Sequence, residues 1–181
     1  MTAELTAIKE HPDVVIRDRE SRAVAAIAAR YLVEHGDALA GSVGAWEATV
    51  AVPSTHHSYE PALQVAIETN FPAAFAPFTR PLVKGPGSMS FNRASEAGFI
   101  SDEDAAGKTY LLVDDTFTTG ARLHSAHHAL VAAGATVPAA IVVTRKINPA
   151  AKYGTLDLWN RQTQIEFKFG GLYRVLGSAA S

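Results

Sequence analysis

The feature that most constrains this sequence is a buried strand, a turn, a helix and a second buried strand that follow one another over residues 108–144. Residues 108–115 are mostly apolar and end in two acids. Residues 121–133 have helical character and are followed by Gly134, and residues 137–144 are again apolar. Strands that are joined through a helix lie parallel in one sheet. The pattern therefore predicts an α/β fold with a parallel central sheet flanked by helices.

The rest of the chain supplies further elements of that fold. Apolar residues recur at helical spacing over residues 17–35, and Gly36 is the expected helix stop before a loop over 37–45. The other predicted elements are strands at 47–52 and 81–84, a helix over 61–69, and a hairpin of two short strands over 164–176. We expect a single domain over residues 1–181, with residues 1–16 loosely attached and 147–181 as a C-terminal extension.

The composition fits one folded domain. The chain has 181 residues, of which 48% are hydrophobic, and a formal net charge of −2. This balance excludes disorder of the whole chain and gives no electrostatic footprint for nucleic acid. There is no cysteine, which excludes disulfides and a cysteine nucleophile. Because neither a targeting segment nor an apolar run long enough to span a membrane is visible, we expect a cytoplasmic protein with no membrane partner.

The residues that carry chemistry stand where the central strand ends. The stretch reads Leu-Leu-Val-Asp-Asp-Thr-Phe-Thr-Thr-Gly over residues 111–120. Ligands of open parallel sheets bind at the carboxyl ends of the strands. The backbone N–H groups of the turn and of the helix N-terminus that follows suit a phosphate, whereas Asp114 and Asp115 suit hydroxyl groups or a metal ion. A phosphate beside a diol describes a sugar phosphate such as ribose 5-phosphate.

This stretch resembles the phosphoribosyl pyrophosphate (PRPP) signature of type I phosphoribosyltransferases, which is four apolar residues, two acids, two variable residues and Thr-Thr-Gly. A second resemblance, to the ComF-like branch, rests on Val-Ala-Val-Pro at 50–53 and on the segment 91–99 that ends in Gly98-Phe99. Together the two resemblances cover residues 20–146. The family transfers ribose 5-phosphate from PRPP to a nitrogen nucleophile and releases pyrophosphate, usually with Mg²⁺.

The resemblance implies a role for each matching residue. Asp114 and Asp115 are the expected catalytic acids, which hold the ribose hydroxyls and contact Mg²⁺ only through the ribose and pyrophosphate oxygens. The expected PRPP-binding residues are Thr116, Phe117, Thr118, Thr119, Gly120, Ala121 and Arg122. The expected pyrophosphate contacts are Ser54, Thr55, His56, Lys84 and Arg93. Residues 85–107, which are rich in Gly and Ser, would form a small flexible flap that excludes water, and aromatic residues of the C-terminal extension would help to form a hood over the acceptor.

Two departures from the family pattern keep alternatives open. Arg122 stands where the signature usually has a small hydroxyl residue, and its side chain would either contact the phosphate or face solvent. Ser54-Thr55-His56-His57 replaces a basic stretch. We therefore weigh a PRPP- or nucleotide-binding regulator without turnover, and a ComF-like accessory protein of DNA uptake, against the enzyme. The acceptor is a base or an amine that the sequence does not specify, and the resemblance suggests a homodimer. His124, His127 and His128 share a helical face without a zinc-protease motif, and we interpret them as surface residues.

Overall fold

The computed structural model describes residues 14–54, 61–90, 92–146 and 156–164. The chain divides into two units between Lys146 and Ile147. The first unit has a parallel central sheet flanked by helices, which confirms the expected fold class. Its helices are α1 (Val14–Val43), α2 (Ala62–Asn70) and α3 (Ala121–Ala132). Its strands are β1 (Ala48–Ala51), β2 (Leu82–Lys84), β3 (Phe99–Ser101), β4 (Thr109–Phe117) and β5 (Thr136–Arg145).

Strand β4 lies in the middle of the sheet, and its neighbours β1 and β5 both run parallel to it. Val50 pairs with Leu112 on one side, and Leu112 pairs with Ala140 on the other. Helix α3 connects β4 to β5, so the strand–helix–strand unit predicted from the sequence is present. Strand β4 runs two residues beyond the predicted end, because Thr116 and Phe117 still pair with β5.

Alternation along β4 divides the core into two layers. Leu111 and Val113 point to the face that α1 and α2 cover. Tyr110 and Leu112 point to the opposite face, which is covered by α3 and by the hairpin of β2 and β3. These four side chains are at most 1% exposed. A strand that is apolar at every position, as β4 is from Tyr110 to Val113, is therefore buried on both faces of the sheet.

The first helix is longer than the sequence pattern indicated. We expected Gly36 to end it and residues 37–45 to form a loop, and both expectations are wrong, since α1 continues to Val43. A glycine inside a helix costs only about 1 kcal/mol relative to alanine. Leu39 packs against the core cluster of α1 and α2, and such contacts outweigh that cost. The helix instead ends at Val43, and Gly44, which follows it, has a φ of 104°.

Residues 85–107 do not form one long loop, contrary to the sequence interpretation. Strands β2 and β3 pair antiparallel, and Gly85 and Gly87 extend the ladder by donating backbone hydrogen bonds to the carbonyls of Gly98 and Ala97. A Cβ atom at Gly85 or Gly87 would overlap the backbone of Ala97. The glycines of this segment therefore mark close approach of two backbone segments.

The second unit is described only at helix α4 (Leu156–Thr163), which the sequence pattern did not predict. The hairpin predicted over 164–176 lies outside the described residues except for its first residue. The loosely attached N-terminal segment predicted over 1–16 likewise lies almost entirely outside them. Among the helices described in either unit, none is both long and apolar enough to cross a membrane.

Two glycine-to-alanine variants test this interpretation of the glycines. Gly41→Ala adds a methyl group in open space inside α1, so we expect it to raise the free energy of unfolding by up to about 1 kcal/mol. Gly85→Ala should lower that free energy by about 1–3 kcal/mol, because its Cβ forces the β2–β3 ladder apart. Urea denaturation measures both values. Equal effects of the two variants would contradict the close-approach interpretation.

Tyr110 provides a test by pH. Burial raises the pKa of its phenol above the ordinary value. The unfolded chain therefore loses this proton at a lower pH than the folded chain, so the free energy of unfolding should fall as the pH rises above about 10. Tyr110→Phe removes the ionisable group and keeps the ring. We expect denaturation curves recorded from pH 8 to 11 to show a shallower alkaline decline in this variant than in the parent protein.

Candidate functional site

The two acids at the carboxyl end of β4 lie on opposite faces of the sheet. Successive side chains of a strand alternate in direction, so Asp114 follows Leu112 toward α3 and Asp115 follows Val113 toward α1 and α2. Asp114 is buried, with 7% exposure, whereas Asp115 is partly exposed. The Asp115 backbone N–H donates to Asp114 Oδ1 at 3.0 Å. A ligand at this edge of the sheet would therefore have one carboxylate on each face of the sheet.

Arg122 in the first turn of α3 reaches back to the sheet. One terminal nitrogen (Nη2) lies 3.3 Å from Asp114 Oδ1 and 3.4 Å from the carbonyl oxygen of Val52. The sequence left two possibilities for this side chain, a phosphate contact or a solvent-facing residue. The structure shows a third arrangement, in which Arg122 forms an ion pair with one of the expected catalytic acids and bridges β4, β1 and α3.

The turn between β4 and α3 leaves the start of α3 without a side-chain cap. Gly120 adopts a φ of 82° and is the N-cap residue of α3. Because glycine has no side chain, it provides no side-chain acceptor for the first N–H groups of the helix, which point out of the helix end. Thr118 and Thr119 are partly exposed in this turn, and Ala121 begins the helix with a buried side chain.

The Phe117 ring packs against the turn at Gly120. A Cβ atom at Gly120 would lie 2.7 Å from the Phe117 ring, so the ring fits directly against the glycine. The guanidinium carbon of Arg145, the last residue of β5, lies 5.6 Å from the centre of the same ring. This distance is in the range of a cation–π interaction. Phe117 therefore contributes packing to the turn through its ring and holds Arg145 at the edge of the sheet.

Thr116 is fixed by the neighbouring strand. The hydroxyl of Thr144 donates to the carbonyl oxygen of Asp115 at 2.9 Å and lies 3.2 Å from the Thr116 hydroxyl. These contacts join β4 and β5 at their carboxyl ends, next to the turn. Thr144 was not among the residues to which the sequence assigned a PRPP or pyrophosphate contact. Its position in a second apolar strand was visible in the sequence, but the register that brings it beside Thr116 was not.

The end of β1 forms the other side of the site. The backbone N–H of Val52 donates to the carbonyl of Val113 at 3.0 Å, so the parallel pairing with β4 continues to this point. Pro53 and Ser54 follow and are partly buried. Of the residues expected to bind pyrophosphate here, Ser54 is therefore placed at the carboxyl edge of the sheet. Thr55 and His56 lie outside the described residues.

The hairpin carries the remaining two candidates. Lys84 is exposed at the end of β2, and Arg93 is exposed near the tip, where it pairs with Ser90. The hairpin is attached to α3 through Ser125, whose fully buried hydroxyl accepts a hydrogen bond from the Ser95 N–H at 2.9 Å and donates to the Ala121 carbonyl at 2.8 Å. Sequence reasoning missed Ser125, although a serine among apolar helix residues was a visible signal.

The histidines of α3 are exposed, in agreement with the interpretation of His124, His127 and His128 as surface residues. Within the described part of the chain, no group of three or more histidine, aspartate or glutamate side chains is placed to hold a metal ion.

A double-mutant cycle tests the Asp114–Arg122 pair. Asp114→Asn should lower the free energy of unfolding by about 1–3 kcal/mol, because it leaves the partly buried guanidinium without its anion. Adding Arg122→Gln should restore part of that loss, with a coupling of about 1 kcal/mol. Urea denaturation of the two single variants and the double variant gives the coupling. Strict additivity would show that the two side chains do not interact in solution.

Comparison with known proteins gives only distant structural matches. No protein-family model matches the chain, and no curated protein matches it either. The chain is similar in structure to UMP synthase from Leishmania donovani, with a TM-score of 0.41, 17% identity, and coverage of 81% of this chain but only 30% of that one. Adenine phosphoribosyltransferase from Saccharomyces cerevisiae matches with a TM-score of 0.41 and 19% identity, over 79% of this chain and 75% of that one. Hypoxanthine phosphoribosyl transferase from Trypanosoma cruzi matches with a TM-score of 0.41 and 12% identity, over 82% and 93%.

Proposed function

We propose that this protein is a phosphoribosyltransferase, which transfers ribose 5-phosphate from PRPP to a nitrogen nucleophile and releases pyrophosphate. The observation that carries the proposal is the turn after β4. There the signature residues 111–120 end a central parallel strand, pass through left-handed Gly120 and begin α3. The sequence motif and the local geometry favour the same ligand, a phosphate beside hydroxyl groups.

The phosphate of ribose 5-phosphate would bind at the turn. The first N–H groups of α3 carry the positive end of the helix dipole, and an anion there is stabilised without a lysine or arginine. The hydroxyls of Thr118 and Thr119 add donors beside these N–H groups. Gly120 permits close approach of the backbone, because it has no Cβ and adopts a positive φ.

The ribose would lie over the carboxyl end of β4, where Asp114 and Asp115 accept hydrogen bonds from its hydroxyl groups. During the reaction the bond between C1 and the pyrophosphate oxygen breaks, and pyrophosphate leaves with the electron pair. The nitrogen of the acceptor forms a bond to C1 and loses a proton. Since positive charge develops on the ribose before the new bond is complete, two nearby carboxylates stabilise the transition state.

The remaining candidates would surround the leaving group. Ser54, Thr55 and His56 follow β1 and would supply hydroxyl, backbone and imidazole donors, while Lys84 and Arg93 on the hairpin would supply charge. Mg²⁺ bound to the pyrophosphate and ribose oxygens would neutralise the developing negative charge. The β2–β3 hairpin would exclude water, which otherwise competes with the acceptor for C1.

A second candidate function is a PRPP-binding regulator without turnover. The observation that favours it is the ion pair of Asp114 with Arg122, because an acid that is already paired is less available to the ribose. Both candidates share the ligand and differ in pyrophosphate release. We also propose that the protein belongs to the ComF-like branch, which the Val-Ala-Val-Pro segment suggests, and that it forms a homodimer. Its acceptor is either a base or an amine.

Titration calorimetry with PRPP and Mg²⁺, followed by a pyrophosphate-release assay with a panel of bases and amines, tests the proposal. We expect binding, and release only when the correct acceptor is present. Binding without release under any acceptor would support the regulator. Absence of binding would contradict both candidate functions.

Charge-matched double variants make the binding test specific to the acids. Asp114→Asn combined with Asp115→Asn should abolish the heat of PRPP binding, because both hydroxyl acceptors at the end of β4 lose their charge. Asp102→Asn combined with Asp104→Asn removes the same charge from an exposed acidic run and should leave binding within about twofold. Circular dichroism of each variant verifies folding. Unchanged heat in the first variant would contradict the assigned role of the acids.

A further inference from the structure

We propose that Arg122 binds the second anionic group of the ligand, at the β1 side of the site, and releases Asp114 to the ribose when it does so. The inference rests on the proposed function and assigns one residue within it. For PRPP the second anionic group is the pyrophosphate on C1, whereas the 5-phosphate occupies the turn before α3. Arg122 is thus a specificity residue that distinguishes ligands with two anionic groups from ligands with one.

The Arg122 side chain extends from α3 toward the end of β1. Arg122 is the second residue of α3, and its guanidinium lies beside the carbonyl oxygen of Val52, which immediately follows β1. The backbone N–H groups of the turn lie at the start of α3 itself, after β4. The helix N-terminus after β4 and the Arg122 guanidinium beside the end of β1 are therefore sources of positive potential at different parts of the same edge.

The segment after β1 contains no lysine or arginine that could bind an anion. The sequence that follows β1, residues 53–61, reads Pro-Ser-Thr-His-His-Ser-Tyr-Glu-Pro and contains neither lysine nor arginine. An anion bound at the end of β1 therefore receives no permanent positive charge from that segment. Arg122 supplies one from a different element, and it is held at this position by its contact with Val52.

The contacts of Arg122 with Asp114 and Val52 do not use all the hydrogen-bond donors of its guanidinium. Its contacts to Asp114 and Val52 are 3.3 and 3.4 Å long, beyond the 2.7–2.9 Å typical of charged hydrogen bonds. Within the described residues, its buried Nε atom has no hydrogen-bond partner. A guanidinium has five N–H donors, and the Arg122 side chain is 30% exposed, so its terminal nitrogens can donate to a pyrophosphate oxygen pair as well as to the single Asp114 oxygen.

The position of Arg122 in the first turn of α3 also favours a contact with an anion. A positive side chain in the first turn of a helix lies at the positive end of the helix dipole, which is unfavourable. In the ligand-free protein, Asp114 offsets this repulsion. A bound anion would offset it equally well, and Asp114 would then be available to the ribose hydroxyls. The exchange of partners costs little, because one anion replaces another.

Two ligands that differ only in the pyrophosphate test the inference. The full chain is titrated with ribose 5-phosphate and with PRPP, each with Mg²⁺, and the same is done for Arg122→Gln. We expect the variant to bind PRPP about tenfold to hundredfold more weakly, as for the loss of one charged hydrogen-bonding group, and to bind ribose 5-phosphate within about threefold of the parent protein. Arg122→Lys keeps the charge without the paired donors and should lose less affinity for PRPP than Arg122→Gln.

Arg30→Gln is the matched control, because it also removes an arginine from an ion pair, with Glu34 on an exposed face of α1, and should change neither affinity. Equal losses for both ligands in Arg122→Gln would overturn the inference by placing Arg122 at the 5-phosphate or the ribose. Unchanged or tighter binding of PRPP would overturn it by reducing Arg122 to a partner of Asp114. If the parent protein binds neither ligand, the proposed function itself fails and the inference fails with it.

Discussion

The structure depends on the burial of β4 between two parallel neighbours and two layers of side chains. Leu111 and Leu112 are fully buried on opposite faces, and their backbone groups pair with β1 and β5. A parallel sheet needs cover on both faces, and this requirement places α1 and α2 on one side and α3 with the hairpin on the other. The end of β4 is consequently the point where both layers and both neighbouring strands meet, so polar groups there are held by surrounding structure on several sides.

The site is built from this convergence. Asp114 belongs to the α3 layer and Asp115 to the opposite layer, because a strand cannot direct adjacent side chains to the same face. The pairing of Asp114 with Arg122 then joins the end of β4 to α3, and the contact with Val52 adds β1. Thr144 completes the edge from β5. The elements around β4 thus contact the acid pair, the turn beyond it, or the arginine that pairs with Asp114.

The sequence was most informative where structure is determined locally. The order of β4, α3 and β5 was predictable, because continuous apolar runs and a glycine-bounded helix depend on neighbouring residues only. The prediction that Gly36 ends α1 was wrong because the packing of Leu39 against the core extends the helix. The prediction of a long loop over 85–107 was wrong because a glycine-rich sequence is typical both of flexible loops and of backbone segments that pack closely against each other. The contact of Arg122 with Val52 was not predictable, since it joins residues 70 positions apart. The ion pair of Arg122 with Asp114, eight residues away, depends on the conformation of the turn between β4 and α3, which the sequence pattern did not specify.

Ser125 has a consequence for how this sequence can vary. The hydroxyl of Ser125 is used twice, as an acceptor from the backbone of residue 95 and as a donor to the backbone of Ala121. Because both partners are main-chain groups, the side chains at those two positions take no part in the bonding. The requirement for a hydroxyl falls on the helix alone, and the facing residue of the hairpin is free to change within the space that Gly87 leaves for it. Homologues would then conserve position 125 as a small hydroxyl residue and drift at position 95.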